Sequence, residues 1–190
     1  MTLGRFKRPS VLASQLPSFS VEDRVPVYHS ASPEQTRALG EAVGRLADAG
    51  DVIALVGELG AGKTLFVGGL AGGLGIDRAT YVSSPTFTIL HCYHGRLPLY
   101  HIDLYRIETP EAFLSLGLDE YLQRDGVAAI EWAEHGWGML PKEMLTLKLR
   151  YTGSDTREIE IVPVGDRYAR LVRELIRELP VLSMTTEWEG

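Results

Sequence analysis

The chain has 190 residues, 20 of them Gly and 10 Pro, a single Cys, no Asn and a formal net charge of −6. One compact domain with a modest appendage suits that length, Cys92 alone can close no intramolecular bridge, which suits a reducing cytoplasm, and without Asn there is no N-glycosylation site, no N-K-x-D guanine reader and no catalytic-loop Asn of the protein-kinase type. An excess of 25 acids over 19 Lys and Arg argues against a surface that grips phosphate backbones, and no apolar run approaches the ~20 residues of a membrane helix, so a soluble protein without tight nucleic-acid contact is expected.

Residues 1–20 carry Arg5, Lys7 and Arg8, no acid and no hydrophobic periodicity, and read as a loose extension. A globular domain is expected over 21–180. Ser32, Pro33 and Gln35 predict a helix start, with Ser as N-cap, Pro at the first helical position and Gln closing a capping box. That helix should run to about Ala49 and stop at Gly50. The apolar run from Asp51 to Val56 reads as a buried strand, followed by a Gly-rich turn and a helix from Lys63 to about Leu74. Between Tyr81 and Ile107 the β-branched and aromatic residues predict two strands joined by a turn at Gly95 and Arg96. A short helix from Pro110 to Leu116 should end at Gly117, and Val127 to Ile130 should be another buried strand, ending in Glu131. Thr146 to Arg150 and Arg157 to Val162 read as a hairpin, Asp166 as the cap of a last helix through Leu179, and 181–190 as a tail.

Gly57-Glu58-Leu59-Gly60-Ala61-Gly62-Lys63-Thr64 matches G-x-x-x-x-G-K-[ST] in full, with the required strand before it and helix after it. Glycines let successive backbone N–H groups turn toward phosphate oxygens, and the following helix presents its positive end to the same anion. In this pattern Lys63 bridges the β- and γ-phosphates and Thr64 places its hydroxyl on Mg²⁺. A Gly-rich turn with a surface lysine is the bland alternative, but Lys63 is one of only four lysines in the chain.

A phosphate loop needs an acid at the end of a neighbouring strand. Glu131 has the strand-then-acid form, and Asp103 after Leu99-Tyr100-His101-Ile102 is a second candidate. On a strand His101 and Asp103 share a face. Asp103 could instead pair with Arg106, and Glu131 could cap a loop. His91, Cys92, His94 and His101 match no structural-zinc spacing, and no G-x-S-x-G elbow supports a serine nucleophile.

The phosphate loop, Ser84-Pro85-Thr86-Phe87-Thr88, His101-Ile102-Asp103-Leu104-Tyr105-Arg106 and Glu131-Trp132-Ala133-Glu134, in this order, resemble the TsaE family, also called YjeE, over about Ser32 to Arg157. The resemblance implies a three-layer α/β fold of the P-loop NTPase type, with a mostly parallel central sheet plus antiparallel strands. It implies a cytoplasmic ATPase needed for threonylcarbamoyladenosine modification of tRNA, using ATP and Mg²⁺. Its partners would be TsaD-like and TsaB-like proteins, reset by ATP hydrolysis, and it would meet tRNA only through them. By the same resemblance Glu58 to Leu65, namely Glu58, Leu59, Gly60, Ala61, Gly62, Lys63, Thr64 and Leu65, bind the nucleotide. Thr64 and Glu131 hold the metal, Asp103 and Glu131 serve hydrolysis, and Ser84, Thr86 and Thr88 form a switch-like segment. Pro33 and Arg157 map near the adenine, and Trp132 packs beside the site.

Two other classes compete. A small-metabolite kinase would bring a lid of clustered arginines, whereas Arg170, Arg173 and Arg177 alternate with Glu174 and Glu178 as a solvated helix face. A nucleotide-dependent binding module would hydrolyse ATP only incidentally.

Overall fold

The structure, a computed structural model, describes residues 25–179 and the backbone of 182–184. The expected 1–20 extension lies outside the described residues. One eight-stranded sheet organises the chain, in the order β3-β4-β5-β2-β6-β7-β1-β8. The strands are β1 (Pro26–Ser30), β2 (Val52–Val56), β3 (Leu90–Tyr93), β4 (Leu99–Asp103), β5 (Val127–Glu131), β6 (Met144–Tyr151), β7 (Arg157–Val164) and β8 (Leu182–Met184). The helices are α1 (Pro33–Leu46), α2 (Lys63–Gly73), α3 (Pro110–Ser115), α4 (Leu118–Tyr121) and α5 (Asp166–Glu178).

The sheet is the mixed α/β type that the phosphate loop predicts. Its centre, β4-β5-β2-β6, is parallel throughout. Antiparallel strands flank it on both sides, β3 on β4 and β7, β1 and β8 beyond β6. Helices cover the central strands, so β4 and β5 are buried along their whole length and read as continuous apolar runs. Parallel packing also gathers the C-terminal ends of β2, β4 and β5 at one edge, the usual ligand crevice of such sheets.

Capping at α1 follows the sequence. Ser32 Oγ accepts the Gln35 amide at 3.3 Å, and Gln35 Oε1 reaches back to the Ala31 amide at 2.7 Å. The helix ends at Leu46, short of the predicted Ala49, because distant arginines satisfy its last carbonyls. Arg96 Nη2 donates to the carbonyls of Gly44 and Ala47 at 2.6 and 2.7 Å, and Arg167 Nη2 to that of Leu46 at 2.9 Å. Orphan carbonyls at a helix end need such partners, and here they come from other elements.

α1 lies directly on α2 through glycines. A Cβ at Gly40 would collide with the Phe66 carbonyl, one at Gly69 with that of Arg37 and one at Gly73 with that of Glu41. The two backbones touch where side chains would hold them apart, which carries the start of α1 to the phosphate loop.

Several expectations need correction. The segment from Tyr81 to Ile89 is not strand, and β3 begins only at Leu90. Asp166 is the first residue of α5 rather than its cap; Gly165 takes that place, with φ 96°. α4 follows Gly117 without interruption and inserts Leu118 into the core. Instead of an uninterrupted tail, Leu182–Met184 pairs with β1 at the sheet edge.

Candidate functional site

The phosphate loop joins β2 to α2. Gly60 and Gly62 have φ of 80° and 106°, the left-handed region that a side chain disfavours, so the loop doubles back and α2 starts directly at Lys63. Lys63 is buried, and its ammonium donates to the carbonyls of Gly57 at 2.6 Å and Glu58 at 3.0 Å. The Trp132 ring lies 3.8 Å from Nζ, as a cation–π partner. Burial pulls the Lys63 pKa below the ordinary lysine range, and the charges of Glu131, Glu134 and Asp103 oppose that shift. Leu59, at the loop tip, is 83% exposed.

Two acids come from neighbouring strands. In register Leu55, Glu131 and Asp103 form one row across β2, β5 and β4, so both carboxylates emerge on one face beside the loop. The Thr64 hydroxyl donates to Glu131 Oε1 at 2.7 Å. His101 Nε2 meets the same oxygen at 2.8 Å. A hydroxyl and a carboxylate at this spacing are hard oxygen donors of the kind Mg²⁺ takes, together with phosphate oxygens and water. No group of three or more His, Cys, Asp or Glu that could hold a metal occurs among the described residues.

Asp103 is buried and fully engaged. Its Oδ2 accepts the hydroxyls of Ser84 and Thr86, both at 2.7 Å, and its Oδ1 accepts the Tyr105 amide at 2.9 Å. The alternative partner, Arg106, instead lies over the Phe87 ring at 5.8 Å. Ser84 and Thr86 are thus tied to the strand end, but Thr88 is not: its hydroxyl pairs with His91 Nε2 at 2.8 Å. Ile89 and Trp132 are the non-glycine residues with positive φ among those described, at 67° and 56°. They flank the site, one at the end of the Ser84 to Thr88 segment and the other directly after Glu131. Each such backbone costs about 1–2 kcal/mol, so the surroundings must hold them there.

The two residues that the resemblance maps near a base, Pro33 and Arg157, belong to α1 and β7. Pro33 opens α1, and Thr36, one turn on, packs beside Gly62. Arg157, the first residue of β7, is 8% exposed, not a surface hairpin arginine. Its Nε donates to the Ala61 carbonyl at 3.2 Å, its guanidinium lies over Tyr151 at 5.3 Å, and Nη1 has no partner among the described residues.

Sequence reasoning left two site residues unassigned. His101 shares a face with Asp103 in the strand alternation and opens the block that runs to Arg106, but neither signal gives it a role. Glu134 follows Glu131 by one short turn, within electrostatic reach of Lys63; burial raises its pKa above the ordinary glutamate range, while backbone hydrogen bonds, His135 and Lys63 oppose the rise.

Residues 30–159 match the family described as "Threonylcarbamoyl adenosine biosynthesis protein TsaE". The chain is 46% identical over 151 residues to the tRNA threonylcarbamoyladenosine biosynthesis protein TsaE of Bacillus subtilis (strain 168), covering 79% of this chain and 93% of that protein. It is 46% identical over 132 residues to the protein of that name from Treponema pallidum (strain Nichols), covering 70% and 96%. The crystal structure of Bacillus subtilis YdiB superposes with a TM-score of 0.71 at 41% identity, covering 83% of this chain and 99% of that one. The motifs, the loop geometry and these likenesses agree, and the chain belongs to the TsaE family.

Proposed function

We propose that this chain is the Mg²⁺-dependent ATPase subunit of the machinery that makes threonylcarbamoyladenosine in tRNA. The tRNA role is taken from the names of its relatives. The nucleotide chemistry is supported chiefly by one observation: Lys63, Thr64, Glu131 and Asp103 converge at the ends of adjacent strands β2, β5 and β4.

In this reading the amides from Glu58 to Leu65 and the Lys63 ammonium receive the phosphates of ATP. Lys63 must leave the carbonyls of Gly57 and Glu58 to do so, exchanging two neutral acceptors for charged ones. Thr64 and Glu131 would hold Mg²⁺, which neutralises charge on the phosphates when bound. Asp103 fixes Ser84 and Thr86 beside the site and supports the approach of water. Pro33 and Arg157 are the residues this reading assigns to the base. Turnover is slow until TsaD-like and TsaB-like partners complete the site, and hydrolysis resets their complex. This division of labour suits the net charge of −6, because tRNA would be held by the partners. A cytoplasmic location follows from the same reading; no helix among the described residues is long and apolar enough to cross a membrane.

The test is the ATPase rate of the full chain alone and with its TsaB-like and TsaD-like partners. Partner-stimulated release of inorganic phosphate supports the proposal. Phosphate appearing on a small-molecule acceptor would transfer it to the kinase class, and nucleotide-dependent association without turnover to the binding-module class.

A further inference from the structure

Glu131 is met by two polar side chains on one oxygen and by none of the described residues on the other. Thr64 Oγ1 and His101 Nε2 both meet Oε1, at 2.7 and 2.8 Å, and Oε2 accepts no hydrogen bond from the described residues. His101 is wholly buried on β4, and Ala129, its register partner on β5, is small enough for the imidazole to reach along the sheet to Glu131. Its Nδ1 is buried and has no partner among the described residues.

These contacts determine where the ring proton sits. With the proton on Nε2, the ring donates to a carboxylate, a strong charge-assisted bond. With the proton on Nδ1, a buried donor is left unpaired and the Nε2 lone pair faces a carboxylate oxygen. The first arrangement wins on both counts.

We infer that His101 is a positioning residue whose Nε2–H locks Oε1 of Glu131, leaving Oε2 to a metal ion or its water. The inference rests on the reading of Thr64 and Glu131 as the metal-holding pair. When the Thr64 hydroxyl turns to a metal its bond to Oε1 is lost, and His101 is then the donor that keeps the carboxylate in place. A ligand held in this way by an outer partner typically loses about 10- to 100-fold in metal affinity when that partner is removed.

The experiment is calorimetric titration of ADP into the full chain across a Mg²⁺ series and in EDTA, for the parent, His101→Leu and His101→Gln. His101→Leu should need about 10- to 100-fold more Mg²⁺ for the metal-dependent gain in affinity, with ADP binding in EDTA unchanged. His101→Gln, which returns an N–H near the Nε2 position, should recover most of that loss. A merely structural histidine would weaken binding in EDTA as much as in Mg²⁺ and would not be rescued by Gln. Parent-like Mg²⁺ dependence in His101→Leu overturns the inference while leaving the metal reading intact; a parent with no Mg²⁺ dependence overturns the metal reading and this one with it. Tautomer-resolved imidazole NMR on the parent needs no variant: a ring proton on Nε2 supports the inference, and one on Nδ1 overturns it.

Discussion

Asp103 and Glu131 face each other in register on parallel strands β4 and β5, yet their carboxylates are held by different parts of the chain. Glu131 is bonded to Thr64 at the start of α2, and Asp103 to Ser84 and Thr86 of the loop before β3. One acid is therefore tied to the first turn of α2 and the other to the segment that leads into β3. Both should matter more for turnover than for holding the nucleotide.

That division can be tested directly. Glu131→Gln and Asp103→Ala should each keep ADP affinity within about tenfold of the parent while lowering partner-stimulated ATP hydrolysis by about 100-fold or more, the size of loss typical when a group stabilising the transition state is removed. Parent-like hydrolysis in both variants, measured by phosphate release, would sink the site assignment.

Lys63→Ala should lower ADP affinity by about 100-fold or more, since it removes charged hydrogen bonds worth about 1.5–3 kcal/mol each. Calorimetry on the folded variant checks it, and unchanged affinity would contradict the phosphate-binding role. The same variant should not lose thermal stability through the charge itself, because burial already disfavours the ammonium.

Gly69→Ala should destabilise the protein by about 2–3 kcal/mol or more, read as a lowered Tm. The added Cβ would strike the Arg37 carbonyl, a backbone atom that can move only if α1 shifts away from α2. Gly72→Ala, whose Cβ would meet only the outer atoms of Glu41 at 4.0 Å, serves as the control and should leave Tm near the parent value or above it.

Glu134 makes stability depend on pH in a defined direction. Its folded pKa is raised by burial, so in the window between the ordinary glutamate range and that raised value the native state holds a proton that the unfolded chain has released. The contribution of this group is most favourable below the window and declines as pH rises through it. Glu134→Gln should remove that decline: its Tm should exceed the parent's near neutral pH, and the gap should close on acidification. Asp51, also raised chiefly by burial, adds a slope of the same sign that the variant keeps. A Tm difference that is flat from pH 4 to 8, or that widens on acidification, would refute the assignment.

Much of the fold was legible because local signals and burial agreed. The apolar runs of β2 and β5 are central strands buried on both faces, and Ser32, Pro33 and Gln35 build the predicted helix start. The misses have tertiary causes. β8 carries too little pattern to be read as a strand; it exists because β1 offers it an open edge. α4 is a single turn that gains its place by burying Leu118. The end of α1 depends on Arg96 and Arg167, which come from remote parts of the chain.

By itself the sequence determined the phosphate loop, the strand and helix on either side of it, and the two strand-end acids, since each is written in consecutive residues with their own turn and burial chemistry. Only the tertiary structure decided how those acids are employed. It sent Arg106 to Phe87 rather than Asp103, buried Arg157 against Ala61, and joined His101 and Thr64 on one oxygen of Glu131. Hydrogen bonds between residues far apart in the chain depend on strand order and register, and these are properties of the assembled sheet rather than of any segment within it.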